Sequence, residues 1–294
     1  MQVLVTGATG YIGSVVAEAL IGAGHRVTGT ARTEEKRALL AARGIDGRLA
    51  DLTQPGALAA LAREAGGVIH TALAWSPETG AMDRAAVSAM LDAIEKTNKP
   101  FVYTSGVWVM GDTGGKLTAE VKALHPPEIV AWRPQVEDLV HQATWREIRG
   151  IVIRPAMVYG RGGGFVAAMV KQAREQGLVR IAGDGTNHWS FVHVEDLAQL
   201  YVLALEKAPA GDIFIGVDGP PLAVRTVAEA ASRAGGAGGK VVCWPLEEAR
   251  RELGPMAGAL VMDQTIGTLK AVRELGWIPR RPSVLEELRA PRCG

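Results

Sequence analysis

The run Gly7-Ala8-Thr9-Gly10-Tyr11-Ile12-Gly13 has the glycine spacing that lets bare backbone bind a diphosphate. Gly7 permits a tight turn, Gly10 lets amides approach an anion with no Cβ in the way, and Gly13 lets a helix pack close to a sheet. The free N–H groups and the dipole at that helix N-terminus favour negative charge. A second chemical signal follows one strand later. The position at which an NAD-type site carries an acid for the ribose hydroxyls is Ala31, the next residue is Arg32, and no acid occurs between Gly24 and Thr33. A guanidinium there suits a 2′-phosphate, so the expected cofactor is NADP(H); the alternative is a solvated loop charge beside Lys36 and Arg37.

These groups need a strand before them and a helix after them. Gln2–Thr6 is a short β-branched apolar run, Ile12, Val15, Val16, Ala19 and Leu20 recur at helical spacing, and residues 25–31 read as a second strand. A polar helix over 33–43, with Leu39 and Leu40 facing inward, leads to a third strand at 47–50 that ends in Asp51-Leu52. Helix 55–65 precedes a fourth strand from Gly67, whose exit, Thr71-Ala72, would pass the cofactor. Helix 80–97, strand 101–104, helix 128–145 and strand 151–154, ended by Pro155, complete the pattern. Six strands separated mostly by helices require an α/β fold with a doubly wound parallel sheet, a Rossmann fold.

Composition narrows the function classes. With 294 residues, 48% hydrophobic and 21% charged, the chain can bury a large core. A net charge of +1 gives no electrostatic footprint for nucleic acid or an anionic membrane. No secretory or membrane-spanning run is evident, and Cys243 and Cys293 make neither a metal nor a disulfide pattern, so a cytoplasmic setting and no metal site are expected.

The chain resembles the extended and atypical branch of the short-chain dehydrogenase/reductase superfamily, related to sugar-nucleotide epimerases and dihydroflavonol-type reductases, over nearly its whole length. The resemblance rests on Thr6–Gly13, on Arg154-Pro155 with Val158-Tyr159-Gly160, on Phe191–Ala198, and on Glu274-Leu275-Gly276-Trp277-Ile278-Pro279. It implies a dinucleotide-binding part over 1–158 and a smaller substrate-binding lobe mainly over 159–294, interleaved because segments within about 190–217 return to the sheet. Ile213–Val217 is the candidate seventh strand. The resemblance adds Asp51 as an acid for the adenine amino group (or a cap of the next turn), with Leu52 beside it. It also places Thr104 and Pro155 near the cofactor, and implies a homodimer through the helices at 80–97 and 128–145.

Enzymes of this family usually work with a Ser or Thr, a Tyr and a Lys, the latter two spaced Tyr-x-x-x-Lys. That pair is absent. Counting back from Glu137 puts Arg133 at the lysine position and Ile129 at the tyrosine position. Arg133 is always charged, so it can hold a ribose or pair with Glu137, but it cannot act as a base. Ser105 lies one place before the position of the family's serine, occupied by Gly106; it could orient a carbonyl or cap the strand. Tyr159 is the first candidate proton donor, ahead of Tyr103, His193, His70, His125 and Lys116. His70 reads better as a satisfied structural histidine. Trp189 stands where sugar-nucleotide enzymes carry a diphosphate-clamping arginine, which argues against such substrates. With Val107 and Trp108, and with Trp75 and Trp132 in reserve, the substrate contacts look apolar.

The expected function is an NADP-dependent oxidoreductase acting on a small apolar carbonyl, imine or activated alkene. A catalytically silent NADP-binding sensor is the alternative, and an epimerase or dehydratase a weaker one, because those reactions also need the missing tyrosine.

Overall fold

The computed structural model describes residues 1–120 and 123–290. Cys293 lies outside the described residues. Short, mostly buried apolar runs form strands β1 (Gln2–Thr6), β2 (Arg26–Ala31), β4 (Gly67–His70), β5 (Pro100–Thr104) and β6 (Arg149–Pro155), while β3 (Asp46–Leu49) is a largely exposed polar strand at the sheet edge. Four short strands follow: β7 (Met157–Tyr159), β8 (Val179–Ala182), β9 (His188–Trp189) and β10 (Phe191–His193). Strand β11 (Ile213–Gly216) then returns beside β6. The central sheet has seven strands in the order β11-β6-β5-β4-β1-β2-β3, with every neighbouring pair parallel. Strand order reverses between β1 and β4, so a crevice opens at their carboxyl ends.

Such a sheet must be covered on both faces, and the helices do this with their apolar stripes. On one face α1 (Tyr11–Gly22) contributes Val15, Val16 and Leu20. The same cluster takes Leu40 from α2 (Glu34–Ala41) and Leu197, Leu200 and Tyr201 from α7 (Val194–Lys207). The other face is closed by Leu58 of α3 (Pro55–Glu64), Val87, Met90 and Leu91 of α4 (Thr79–Ala93), and Val136 and Val140 of α5 (Arg133–Gln142). A third cluster joins α6 (Gly164–Gln176), α8 (Val224–Ala234), Tyr159, Trp189 and Phe191. No helix among the described residues is long and apolar enough to cross a membrane.

Three local expectations are corrected. The continuous helix over 128–145 is a 3₁₀ turn at Glu128–Val130, then α5 from Arg133, then a second 3₁₀ turn at Ala143–Arg146. Pro134 sits in the first turn of α5, where a missing N–H costs nothing, and so marks its start. The helix expected to reach residue 97 ends at Ala93, because Lys96 and Asn98 turn the chain with φ of 57° and 52°. Leu39 is 47% exposed, and Leu40 alone of that pair enters the core.

One buried ion pair ties α5 to the sheet. Arg154 Nε donates to Glu137 Oε1 at 3.0 Å and Nη2 to Oε2 at 2.6 Å, with both side chains almost wholly buried. Removing one partner strands a charge in the core, so Arg154→Met should lower unfolding stability by about 3–5 kcal/mol. A Glu137→Leu, Arg154→Met double variant should recover much of that loss. Urea unfolding measures both; equal losses in the two variants would contradict this account.

Candidate functional site

The site is built from the carboxyl ends of β1, β4, β5 and β6. The turn after β1 is held by Gly7 at φ 72°, whose N–H donates to Thr30 Oγ1 at 3.1 Å. A Cβ on Gly13 would lie 2.3 Å from the Gly7 carbonyl oxygen and 2.5 Å from Thr71 Oγ1, so no side chain fits there. Helix α1 opens at Gly10 with no side-chain cap and no acid in its first turn. Its first amides therefore face the cleft free for an anion. Beneath this loop His70, 1% exposed, sits 2.7 Å from Thr6 Oγ1 and 2.9 Å from Asp83 Oδ1, and Tyr103 donates to Asp83 Oδ2 at 2.8 Å. A neutral imidazole satisfies that set: Nε2–H donates to the carboxylate, and Nδ1 accepts from the threonine. His70 is structural, and it fixes Thr6, whose carbonyl accepts from Thr71 Oγ1 at 2.7 Å.

A cleft of about 870 Å³ runs from this loop across the sheet. Gly7, Thr9, Gly10, Tyr11, Ile12 and Gly13 line one wall, with Arg32, Asp51 and Leu52 at the same end. Arg32 is exposed at the rim. Asp51 Oδ1 accepts from the Thr53 amide at 2.8 Å, so the turn-capping role exists while the residue also lines the cleft. Thr71, Ala72, Ser105, Val107, Trp108, Arg133 and Pro155 line the remainder.

Several expected placements differ. Thr104 is turned from the cleft: its carbonyl accepts from Arg133 Nη1 at 2.6 Å, and its hydroxyl accepts from Tyr201 at 2.7 Å. Arg133 does not pair with Glu137, which Arg154 occupies; its guanidinium instead lies 4.7 Å over the Trp132 ring. Tyr159 is 1% exposed and lies away from the cleft, its hydroxyl 3.0 Å from Asp218 Oδ2 and 2.7 Å from the Pro282 carbonyl. Burial, with Asp218 second, pushes its pKa far up, so the phenol stays protonated, and its hydrogen bonds to Asp218 and Pro282 hold that proton inside the fold and away from the cleft. Trp189 is 3% exposed, packs between Phe165 and Phe191, and donates to the Leu260 carbonyl at 3.2 Å. The remaining titratable candidates are also placed elsewhere. Tyr103 is in the core network, His193 Nδ1 caps α7 by accepting from the Glu195 amide at 3.1 Å, and His125 and Lys116 are exposed and outside the cleft lining.

Sequence reading missed Ser76, Met82, Val130, Met157 and Phe165, which line the same cleft, Phe165 with its ring 6.0 Å from that of Trp108. The glycine loop Arg161–Gly164 was the available signal for Phe165: Gly163 packs on the Tyr11 ring so closely that a Cβ would lie 2.2 Å from Cε2, which brings the start of α6 to the cleft. Ser105 is 6% exposed, and its hydroxyl has no hydrogen-bond partner.

Burial pushes Asp218 up from 3.8 to about 6, against hydrogen bonds from the His193 amide and Tyr159. A raised folded pKa means that the group's contribution to stability is fully present below the unfolded value and is lost as pH rises through about 6. Urea midpoints taken across that window should fall with pH, and Asp218→Asn should flatten this component. An unchanged slope would contradict the assignment.

A family model described as the NAD-dependent epimerase/dehydratase family matches residues 3–216. An uncharacterized protein of Schizosaccharomyces pombe is 30% identical over 299 residues, covering 98% of each chain. A 4-hydroxy-2-methyl-3-oxo-4-farnesyl-3,4-dihydroquinoline-1-oxide ketoreductase of Stigmatella aurantiaca is 27% identical, over 95% of this chain and 92% of its own. The structure of a Thermus thermophilus UDP-glucose 4-epimerase in complex with NAD superposes with a TM-score of 0.81 at 21% identity, over 98% of this chain and 97% of that one; at that identity the likeness is one of fold.

Proposed function

The chain belongs to the NAD-dependent epimerase/dehydratase family, and we propose that it is an NADP-dependent reductase of a small apolar carbonyl, imine or activated alkene. The observation that carries this reading is the single cleft in which an uncapped glycine-loop helix with Arg32 at one end meets an apolar wall with Ser105 and Arg133 at the other. The ketoreductase among the relatives supports the direction of the reaction.

The residues present fit a dinucleotide. The α1 amides would hold its diphosphate, Arg32 the 2′-phosphate, Asp51 the adenine amino group, and Pro155 and Ala156 would flank the nicotinamide. When bound, the cofactor supplies two electrons and a hydrogen to the substrate. The chain's own work is then to exclude water with Val107, Trp108 and Phe165, to orient the substrate through Ser105, and to place a fixed positive charge beside it through Arg133.

The sensor reading keeps one specific support. Ile129, at the tyrosine position, packs against the core, and no His, Lys, Cys or acid lines the far end of the cleft among the described residues. Epimerisation and dehydration lose weight for the same reason. The proposal includes a homodimer through α4 and α5.

NADPH and NADH oxidation by the purified chain over a panel of ketones, imines and enones separates these readings. Turnover with NADPH is expected, and Arg32→Ala should weaken NADPH by about tenfold while sparing NADH, the loss of one charge-assisted contact. Preference for NADH would overturn the NADP assignment. Tight NADPH binding with no turnover would favour the sensor.

A further inference from the structure

Arg133 brings a full charge into the cleft, and among the described residues no carboxylate forms an ion pair with it. Its side chain is nine-tenths buried, at 9% exposure, with one N–H committed to the Thr104 carbonyl at 2.6 Å and its face over Trp132. The glutamate one turn along, which could neutralise it at helical spacing, is locked onto Arg154 by two hydrogen bonds. A buried guanidinium with spare donors and no counter-charge is an unfinished arrangement. The residue after Thr104 is Ser105, whose buried hydroxyl is likewise without a partner. A second buried hydroxyl without a partner, Ser76 Oγ, lines the same cleft. Arg133, Ser105 and Ser76 therefore line one cleft, and among the described residues no carboxylate pairs with the first and no partner meets the hydroxyls of the other two.

The surroundings say what kind of acceptor completes the set. Trp108, Val130, Met157 and Phe165 make the wall apolar. The one phenol in the lining, Tyr11, belongs to the glycine loop, donates to the Gly160 carbonyl at 2.8 Å, and is held protonated by burial and the Glu287 carboxylate. A substrate oxygen that gains charge here meets fixed donors, and among the described residues no His, Lys, Cys or acid lines this end of the cleft.

We propose that Arg133 and Ser105 form an oxyanion site and that the substrate is an α,β-unsaturated carbonyl, whose reduction leaves its charge delocalised. This rests on the reductase reading above. With a bound reduced nicotinamide supplying hydride, a C–H bond would form at the β-carbon, the C=C pair would shift toward the carbonyl carbon, and the carbonyl π pair would go to oxygen. The resulting enolate is held by Arg133 and Ser105. Solvent water then gives a proton to the α-carbon and the carbonyl re-forms, so one hydride and one proton are consumed. An isolated ketone would instead build a localised alkoxide, far more basic, whose formation gains more from a positioned acid than from fixed donors.

The test uses the full chain saturated with NADP⁺ and the probe 4-nitrophenol, buffered below the probe's own pKa, with the phenolate absorbance as readout. The expected result is a saturable phenolate signal, equivalent to a fall of about one unit or more in the bound probe's pKa, that is, about tenfold preference for the anion. Arg133→Gln should abolish the signal, Arg133→Lys should keep part of it, and Ser105→Ala should reduce it. Circular dichroism and NADP⁺ affinity confirm that each variant is folded and loaded. In a second arm, cyclohex-2-enone should be reduced at least about tenfold faster than cyclohexanone, the ratio matching that same preference. A bound phenol that stays neutral, an Arg133→Gln signal equal to wild type, or equal turnover of the two ketones overturns the proposal. NADP⁺ binding with a neutral bound phenol removes the oxyanion site alone, whereas failure of NADP⁺ and NADPH to bind removes the reductase reading itself.

Discussion

No atom larger than hydrogen fits between Gly13 and the Gly7 carbonyl, where a Cβ would come within 2.3 Å. That approach presses the start of α1 onto the end of β1 and onto the exit of β4, since Thr71 is the second group against which the same Cβ would collide. The parallel pairing of β1 with β2 and β4 then places the uncapped helix terminus where strand order reverses. The rest of the cleft is measured from this point. The buried Thr6–His70–Asp83–Tyr103 chain holds the same corner from below, with its side-chain polar groups paired with one another.

At the opposite end the decisive interaction is one that Arg133 does not make. Glu137 and Arg154 close on each other across α5 and β6, satisfying both charges inside the core. This leaves the neighbouring guanidinium with a backbone carbonyl, an indole face and the cleft. A lysine at that place could lose its proton and act as a base, whereas an arginine stays charged and cannot. With Ile129 packed against the core and Tyr159 tied to Asp218 and Pro282, the far end offers charge and hydrogen bonds but, among the described residues, no ionisable acid. Chemistry at such a site has to be of a kind that fixed dipoles and charge can assist.

The glycine loop, the six leading strands and the return of Ile213–Gly216 to the sheet were legible in the sequence, because each depends on local periodicity and on residues with few physical alternatives. His70 could be read as structural because it ends an apolar strand, Gly67–His70, where a satisfied histidine is the simpler arrangement. The partner of Arg133 was not legible. Helical spacing makes Glu137 its natural mate, and only the path of β6 shows that Arg154 takes the glutamate first. Tyr159 and Trp189 follow recognisable motifs, yet each motif fixes a position along the chain and not the direction of a side chain. Both point into the cluster between α6, α8 and β10. The start of α5 was available from Pro134, and reading a continuous helix through it was an error of local chemistry.

The most direct measurement of the central claim, that a fixed cation stands in for a titrating acid, is the pH dependence of single-turnover hydride transfer from NADPH to a conjugated acceptor. With no group in the reacting end of the cleft that ionises near neutrality, the rate should stay flat from about pH 6.5 to about pH 9. A sigmoidal loss of rate through one ionisation in that range would contradict the account, because it would mean that a side chain of the enzyme gives up the proton after all.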